Sequence, residues 1–206
     1  MLSMDPLTLI VRLAVLLLSL SVHEAAHAFV ADRLGDRTPR FTGRLTLNPL
    51  AHIDPVGALA LLLTGRFGWA KPVQVNPRNF DNPEGGMVAV SLAGPLSNMG
   101  LAILFAGAIK AIIGSGLAYR SYWAGMAAVV MDQAIWINLG LAVFNLLPVP
   151  PLDGSKLLRA ALRGRAYNLY YQLEQYSYIV LLVFIATPIS RLVLSPVVEY
   201  LYRAIM

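Results

Sequence analysis

Long apolar runs separated by polar loops dominate this chain. Helices long enough to cross a membrane are predicted over residues 5–31, 85–109, 122–147 and 167–188. A bilayer core of about 30 Å needs about 20 helical residues at roughly 1.5 Å per residue. The pattern therefore predicts an all-α polytopic membrane protein with about four transmembrane helices.

Three shorter segments complete the predicted architecture. The uncharged run 55–65 is too short to span and predicts a re-entrant or interfacial half-helix. Residues 71–77 alternate in polarity between prolines, which predicts a small β-like segment, a short strand or hairpin. Residues 191–206 carry three charges and are expected to lie at the interface. No linker divides the chain, so 1–206 is interpreted as a single domain with its core in 5–160.

Composition and charge distribution agree with a membrane location. The chain is 57% hydrophobic and 13% charged, whereas soluble domains average about 25% charged residues. The net charge of +5 does not indicate nucleic acid, because the basic residues fall in loops. Four spans would place loops 32–84 and 149–166 on one side, and these hold eleven of the sixteen Lys and Arg residues. The positive-inside tendency makes that side cytoplasmic and puts the N-terminus outside.

The most informative motif ends the first apolar run. His23-Glu24-Ala25-Ala26-His27 is an H-E-x-x-H pattern in a chain with only three histidines and no cysteine. One α-turn separates His23 from His27, so both imidazoles leave the same helix face. This geometry suits two ligands of one Zn²⁺ ion, with Glu24 as the candidate general base. Ionisable groups at membrane depth are costly, which favours metal chemistry over a chance pentapeptide.

A catalytic zinc site usually has three protein ligands, so a third is needed. Asp153 is the strongest candidate, because the prolines at 148, 150 and 151 end a helix before it and Gly154 lets the backbone turn. Taken alone, this segment would be an ordinary turn. Asp153 nevertheless arrives at the same side of the bilayer as the histidines. His52 and Asp54 are rivals, although orienting a ligand or capping the half-helix is the expected role of each.

Polar groups near this site are candidate substrate contacts. Asn98 and Asn145 are amides inside apolar spans, where each either makes an interhelical hydrogen bond or contacts the substrate or the oxyanion. The β-like segment offers Val73, Gln74 and Val75 as an edge that could pair with an unwound substrate.

Three separated motifs together resemble the site-2 proteases, the intramembrane zinc metalloproteases of the M50 class. They are the H-E-A-A-H helix, Gly94-Pro95-Leu96-Ser97-Asn98, and the segment from Asn145 through Leu152-Asp153-Gly154. The resemblance covers about 7–160 and looks like the short prokaryotic type without a PDZ or CBS domain. It implies one catalytic Zn²⁺ held by His23, His27 and Asp153, with Glu24 as base and Asn145 as helper.

The resemblance also implies partners and a location. Substrates would be transmembrane proteins cleaved within the lipid bilayer, in a prokaryotic plasma membrane and from the cytoplasmic side. Two other classes stay open: a zinc-binding transporter or scaffold, and an inactive homologue acting as a membrane chaperone. Clustering of polar groups at one face argues against a transporter, and the presence of Glu24 argues against an inactive homologue.

Overall fold

A computed structural model describes residues 6–57, 59 and 70–206, which are mainly helical. Among these residues there is no β-strand, only one isolated antiparallel bridge between Ile53 and Ala70. The predicted all-α class is therefore confirmed.

Three helices are long and apolar enough to cross a membrane. They are α1 (Pro6–Arg33), α4 (Pro83–Gly114) and α6 (Tyr122–Asn145), and they confirm three of the predicted spans. Helix α4 packs against both α1 and α6. Small residues of α4 at 102 and 106 are fully buried against Ile135 and Leu139 of α6, which allows the two backbones to approach closely. The protein is thus an integral membrane protein built around α4.

The connection between α1 and α4 carries only short elements. Two one-turn helices, α2 (Thr38–Phe41) and α3 (Pro49–His52), precede a 3₁₀ turn at Pro77–Asn79. Of the predicted half-helix at 55–65, residues 55–57 are helical, and the rest falls almost entirely outside the described residues. The predicted β-like segment has no regular secondary structure over 71–76 and pairs with no strand in the described part of the chain.

The fully buried Asp36 attaches this segment to the end of α1. Its carboxylate accepts hydrogen bonds from the backbone and hydroxyl groups of Thr38, from Asn76 N (2.7 Å) and from Asn79 Nδ2 (2.7 Å). Burial opposes the charged form, but these hydrogen bonds outweigh it and hold the pKa of Asp36 below its usual range. The segment is thereby held beside the histidine helix.

The C-terminal region corrects one prediction. The expected continuous span at 167–188 is broken into α8 (Gly164–Gln175), α9 (Ser177–Ala186) and the start of α10 (Pro188–Ile205). Pro188 disfavours a helical conformation at Thr187, and α9 and α10 meet there at 76°. Together they have the length and apolarity of a fourth span.

Residues 191–206, expected at the interface, lie almost entirely in α10, which packs on the bundle, and their position relative to the membrane stays a prediction. Val198 is buried in the core cluster, and Tyr202 donates a 2.6 Å hydrogen bond to Asp132 of α6 while stacking on Trp136. The remaining helices are α5 (Leu117–Arg120), which connects α4 to α6, and α7 (Asp153–Ala161).

Candidate active site

Helix α1 and the turn after α6 bring three candidate ligands together inside the bundle. His23 and His27 lie one turn apart on the face of α1 that packs against α4, and Asp153 is the first residue of α7. All three are at least nine-tenths buried. The predicted ligand set is therefore brought to one place, with its ligand atoms all within 4.8 Å of one another.

The turn that delivers Asp153 depends on a close backbone approach. A Cβ at Gly154 would lie 2.1 Å from the carbonyl oxygen of Leu146, at the end of α6. Only glycine fits there without moving the backbone. The proline-rich turn and Gly154 thus place the carboxylate against α1.

The ligand atoms have the spacing of a single metal centre. Asp153 Oδ2 lies 3.2 Å from His23 Nε2 and 3.1 Å from His27 Nε2, and the two Nε2 atoms are 3.0 Å apart. Ligands about 2.0–2.1 Å from a tetrahedral zinc ion lie roughly 3.3 Å from one another. The observed triangle is close to that arrangement.

Hydrogen bonds at the far side of each imidazole define its tautomer. His27 Nδ1 lies 2.6 Å from the carbonyl oxygen of Val90, which can only accept, so Nδ1 carries the proton. His23 Nδ1 lies 2.6 Å from Asn98 Oδ1, an acceptor because the Asn98 amide nitrogen donates elsewhere. Both Nε2 atoms therefore present lone pairs to each other and to the Asp153 carboxylate. Three acceptors facing one another without a donor fit a cation.

Helix α4 leaves space beside the same atoms. A Cβ on Gly94 would lie 2.5 Å from Nε2 of His23 and 2.5 Å from Nε2 of His27. Any side chain there would occupy the region next to both ligand nitrogens. Gly94 thus keeps open the space that a metal ion needs.

The second oxygen of Asp153 has a cationic partner. Lys156 Nζ lies 3.2 Å from Asp153 Oδ1, one turn along α7. The positive charge of Lys156 favours the ionised form of Asp153. Asp153 is therefore an anion that presents one oxygen to the histidines.

Glu24, the predicted base, is half-buried next to this centre. Its Oε2 accepts a 3.2 Å hydrogen bond from the backbone N–H of Val73 in the predicted β-like segment. Val75 is half-buried and packs near Phe80, whereas Gln74 is exposed. The structure therefore brings the predicted segment beside the base.

Other predicted residues lie elsewhere or act differently. The Asn145 side chain donates to Leu141 O of its own helix, and no contact with the three ligands is seen, so its catalytic role stays a prediction. Asp54 accepts from the N–H groups of Val56 and Gly57, as expected of a helix cap. The His52 Nε2 atom lies 2.9 Å from Thr46 O, outside the ligand group.

Sequence reasoning missed two further side chains of this site, Asn138 and Lys156. Asn138 of α6 is fully buried and its Oδ1 accepts a 2.8 Å hydrogen bond from Asn98. The signal was available, because Asn138 is a polar amide in an apolar span, as Asn145 is. Lys156 sits three residues after Asp153, the spacing of side chains on one helix face.

Comparison with known proteins defines the class. The model of Peptidase family M50 matches residues 117–188. The chain is 42% identical over 204 residues to "Putative zinc metalloprotease YwhC" of Bacillus subtilis, covering 94% of this chain and 89% of that protein. It is 32% identical over 176 residues to "Putative zinc metalloprotease Rip2" of Mycolicibacterium smegmatis, covering 84% of this chain and 65% of that protein. No solved structure matches significantly.

The chain therefore belongs to the M50, or site-2 protease, family. It is a zinc metalloprotease of the membrane, with Zn²⁺ as its cofactor.

Proposed function

We propose that this protein hydrolyses peptide bonds within or near the transmembrane segments of membrane-protein substrates. The observation that carries the proposal is the depth of the ligand group. His23 lies ten residues before the end of the 28-residue helix α1, about 15 Å along its axis. A site at that position inside span-length helices is suited to a bond within the bilayer.

The residues take the following roles in this proposal. His23, His27 and Asp153 hold the zinc ion, which when bound supplies a Lewis acid and lowers the pKa of water towards ~7. Glu24 accepts a proton from the attacking water and passes it to the leaving amine as the C–N bond breaks. Asn145 is the proposed helper in contacts with the substrate or transition state.

The site is proposed to open to the cytoplasmic side of a prokaryotic plasma membrane. The α1–α4 connection and the residues after α6 share one side, and the basic loops fall there. Lipid bilayer and transmembrane substrates are thus the expected partners, and nucleic acid is not.

The test compares the wild-type protein with Glu24→Gln, each reconstituted in lipid vesicles that also contain bacterial membrane proteins. New N-termini detected by mass spectrometry should lie in or beside transmembrane segments and appear only with wild type. Zinc content should be equal in both enzymes, because the base is not a ligand. Glu84→Gln, an exposed glutamate at the start of α4 that contacts Arg163, is the matched control and should cleave normally.

New termini confined to water-soluble domains would contradict intramembrane cleavage. Loss of zinc from Glu24→Gln, or normal cleavage by it, would contradict the role of the base.

Substrates are proposed to enter as an unwound strand beside residues 71–75. A transmembrane helix hides its carbonyl groups in its own hydrogen bonds, so a protease must unwind it. Alternate N–H groups of an extended chain point to opposite edges. Val73 N–H faces Glu24, and Lys71 N–H donates to His52 O, so Gln74 N–H is assigned to the substrate edge.

This assignment separates two proline variants. Gln74→Pro removes the edge donor and should raise KM, whereas Val73→Pro removes the hydrogen bond to Glu24 and should mainly lower kcat. Gly or Pro near the scissile bond of a substrate should speed cleavage by the wild type, because unwinding then costs less. Strand entry would be refuted if the cleavage rate did not depend on substrate helicity and both proline variants cleaved normally. The zinc assignment would stay intact.

A further inference from the structure

A chain of three buried amide and imidazole groups connects α6 to the metal-ligand group. Asn98 and Asn138 are both fully buried, so neither offers its side chain to solvent. Asn138 Oδ1 accepts from Asn98 Nδ2 (2.8 Å), and Asn98 Oδ1 lies 2.6 Å from His23 Nδ1. The question is what sets the direction of these bonds.

The direction is fixed at a backbone group. Asn138 Nδ2 lies 2.8 Å from the carbonyl oxygen of Ala134 and 2.9 Å from Ser19 Oγ. A backbone carbonyl can only accept, so the nitrogen of the Asn138 amide must face it. This leaves Oδ1 of Asn138 turned towards Asn98.

The orientation of the Asn138 amide then determines that of the Asn98 amide and the tautomer of His23. Asn98 must turn its nitrogen to Asn138 Oδ1, and the carbonyl oxygen of Ser19, 3.4 Å from the same nitrogen, favours the same orientation. A flipped Asn98 would place its oxygen against both acceptors. It would also make His23 Nδ1 an acceptor and move the imidazole proton to Nε2, where it would face Asp153 in place of a lone pair.

We propose that Asn138 is a positioning residue that sets the tautomer of His23 through Asn98, and so prepares Nε2 as a zinc ligand. The inference rests on the proposed ligand role of His23. The amide pair joins α1, α4 and α6, and unlike an ordinary interhelical hydrogen bond it also contacts a ligand histidine. Direct partners of zinc-ligating histidines, as Asn98 is of His23, typically contribute 10–100-fold to metal affinity, so a group that acts through Asn98 is expected at the lower end.

Asn138→Leu tests the proposal, because it removes the amide at similar volume. Gln133→Leu is the matched control: Gln133 also lies on α6 and accepts a hydrogen bond from α1, through Arg12, without leading to the site. Asn138→Asp is the rescue variant, since its carboxyl keeps an acceptor towards Asn98 in either protonation state.

Two measurements on the purified full chain do not depend on cleavage. ¹⁵N-histidine NMR of the metal-free protein reports the tautomers of its three histidines. His23 should be protonated at Nδ1 in the wild type and lose that preference in Asn138→Leu, whereas His27, bound to Val90 O, should not change. Zinc titration against a chelating dye should show about tenfold weaker binding in Asn138→Leu. Gln133→Leu and Asn138→Asp should stay within about threefold of wild type.

Unchanged His23 signals and zinc affinity in Asn138→Leu would overturn the proposal, as would equal losses in Gln133→Leu. If Asn138→Leu does not fold, Asn138→Ala carries the same comparison. A wild-type protein that binds no zinc would instead refute the ligand assignment of the proposed function, so the two failures are distinguishable.

Discussion

Adding one methyl group at Gly94 should weaken zinc binding. The ideal Cβ at this position lies 2.5 Å from His23 Cε1, His23 Nε2 and His27 Nε2. Carbon atoms in favourable contact are about 3.5–4.0 Å apart, so the methyl group would be about 1 Å too close to both rings.

Neither ring can rotate away without losing a hydrogen bond. His23 is held by Asn98 and His27 by Val90 O, each at 2.6 Å. Relief must come from displaced rings or from separation of α1 and α4. Overpacking of this kind costs about 1–3 kcal/mol. If that cost falls on the metal-bound geometry, zinc affinity decreases by roughly 5- to 150-fold at 1.4 kcal/mol per factor of ten.

The assay is zinc titration of the purified protein with a competing chelator, alongside thermal unfolding. Gly100→Ala is the control. Gly100 lies on the same helix, and a Cβ there would meet no neighbouring group within 4 Å. Alanine favours a helix over glycine by about 1 kcal/mol, so Gly100→Ala should bind zinc normally and unfold no earlier than wild type. Wild-type zinc affinity in Gly94→Ala would refute the argument that the absent side chain keeps the metal position open.

The remaining predictions concern three aspartates and one control. Asp153→Ala should weaken zinc binding by more than the 10–100-fold typical of outer partners, whereas Asp54→Ala should leave it nearly intact; chelator titration decides, and the reverse order would make Asp54 the ligand. Asp36→Ala should lower stability by about 2 kcal/mol and the unfolding midpoint by roughly 4–8 °C, because hydrogen bonds to a buried charge are lost. The exposed Asp81→Ala should show no such shift. Since the folded pKa of Asp36 is lowered, its contribution is complete above the unfolded pKa of ~3.9 and is lost as pH falls below it. Equal unfolding midpoints of wild type and Asp36→Ala near neutral pH would contradict the predicted stability contribution of Asp36.

The spans and the ligand set follow from sequence because their signals are local or chemically specific. An apolar run of membrane length predicts a helix wherever it packs, and α1, α4 and α6 are found where the runs lie. Three ionisable residues arriving at one membrane side predict a shared site. The cost of burying charges leaves them few alternatives.

The bend between α9 and α10 and the packing face of α10 could not be predicted in the same way. Residues 167–188 have the hydropathy of one span, and hydropathy does not show that Pro188 disfavours a helical conformation at Thr187. The charges in 191–206 predict an interfacial segment but not its packing: the burial of Val198 and the Tyr202–Asp132 hydrogen bond depend on which face of α10 meets α6. These are tertiary contacts, and a single sequence does not show which residues of different helices lie close together.

The same polar contacts serve both helix packing and the proposed chemistry, because a bilayer offers helices little hydrophobic reason to associate. Here α1 meets α4 and α6 through Ser19, Asn98 and Asn138, polar contacts of a kind that contribute about 0.6 kcal/mol each in membrane helices. In the proposed arrangement that network also orients His23. Gly94 has the same double role, since the small residue that lets α4 approach α1 also leaves room beside both imidazoles. It follows that helix spacing and ligand geometry cannot vary independently in this protein: a change that moves α4 relative to α1 must move the metal ligands with it.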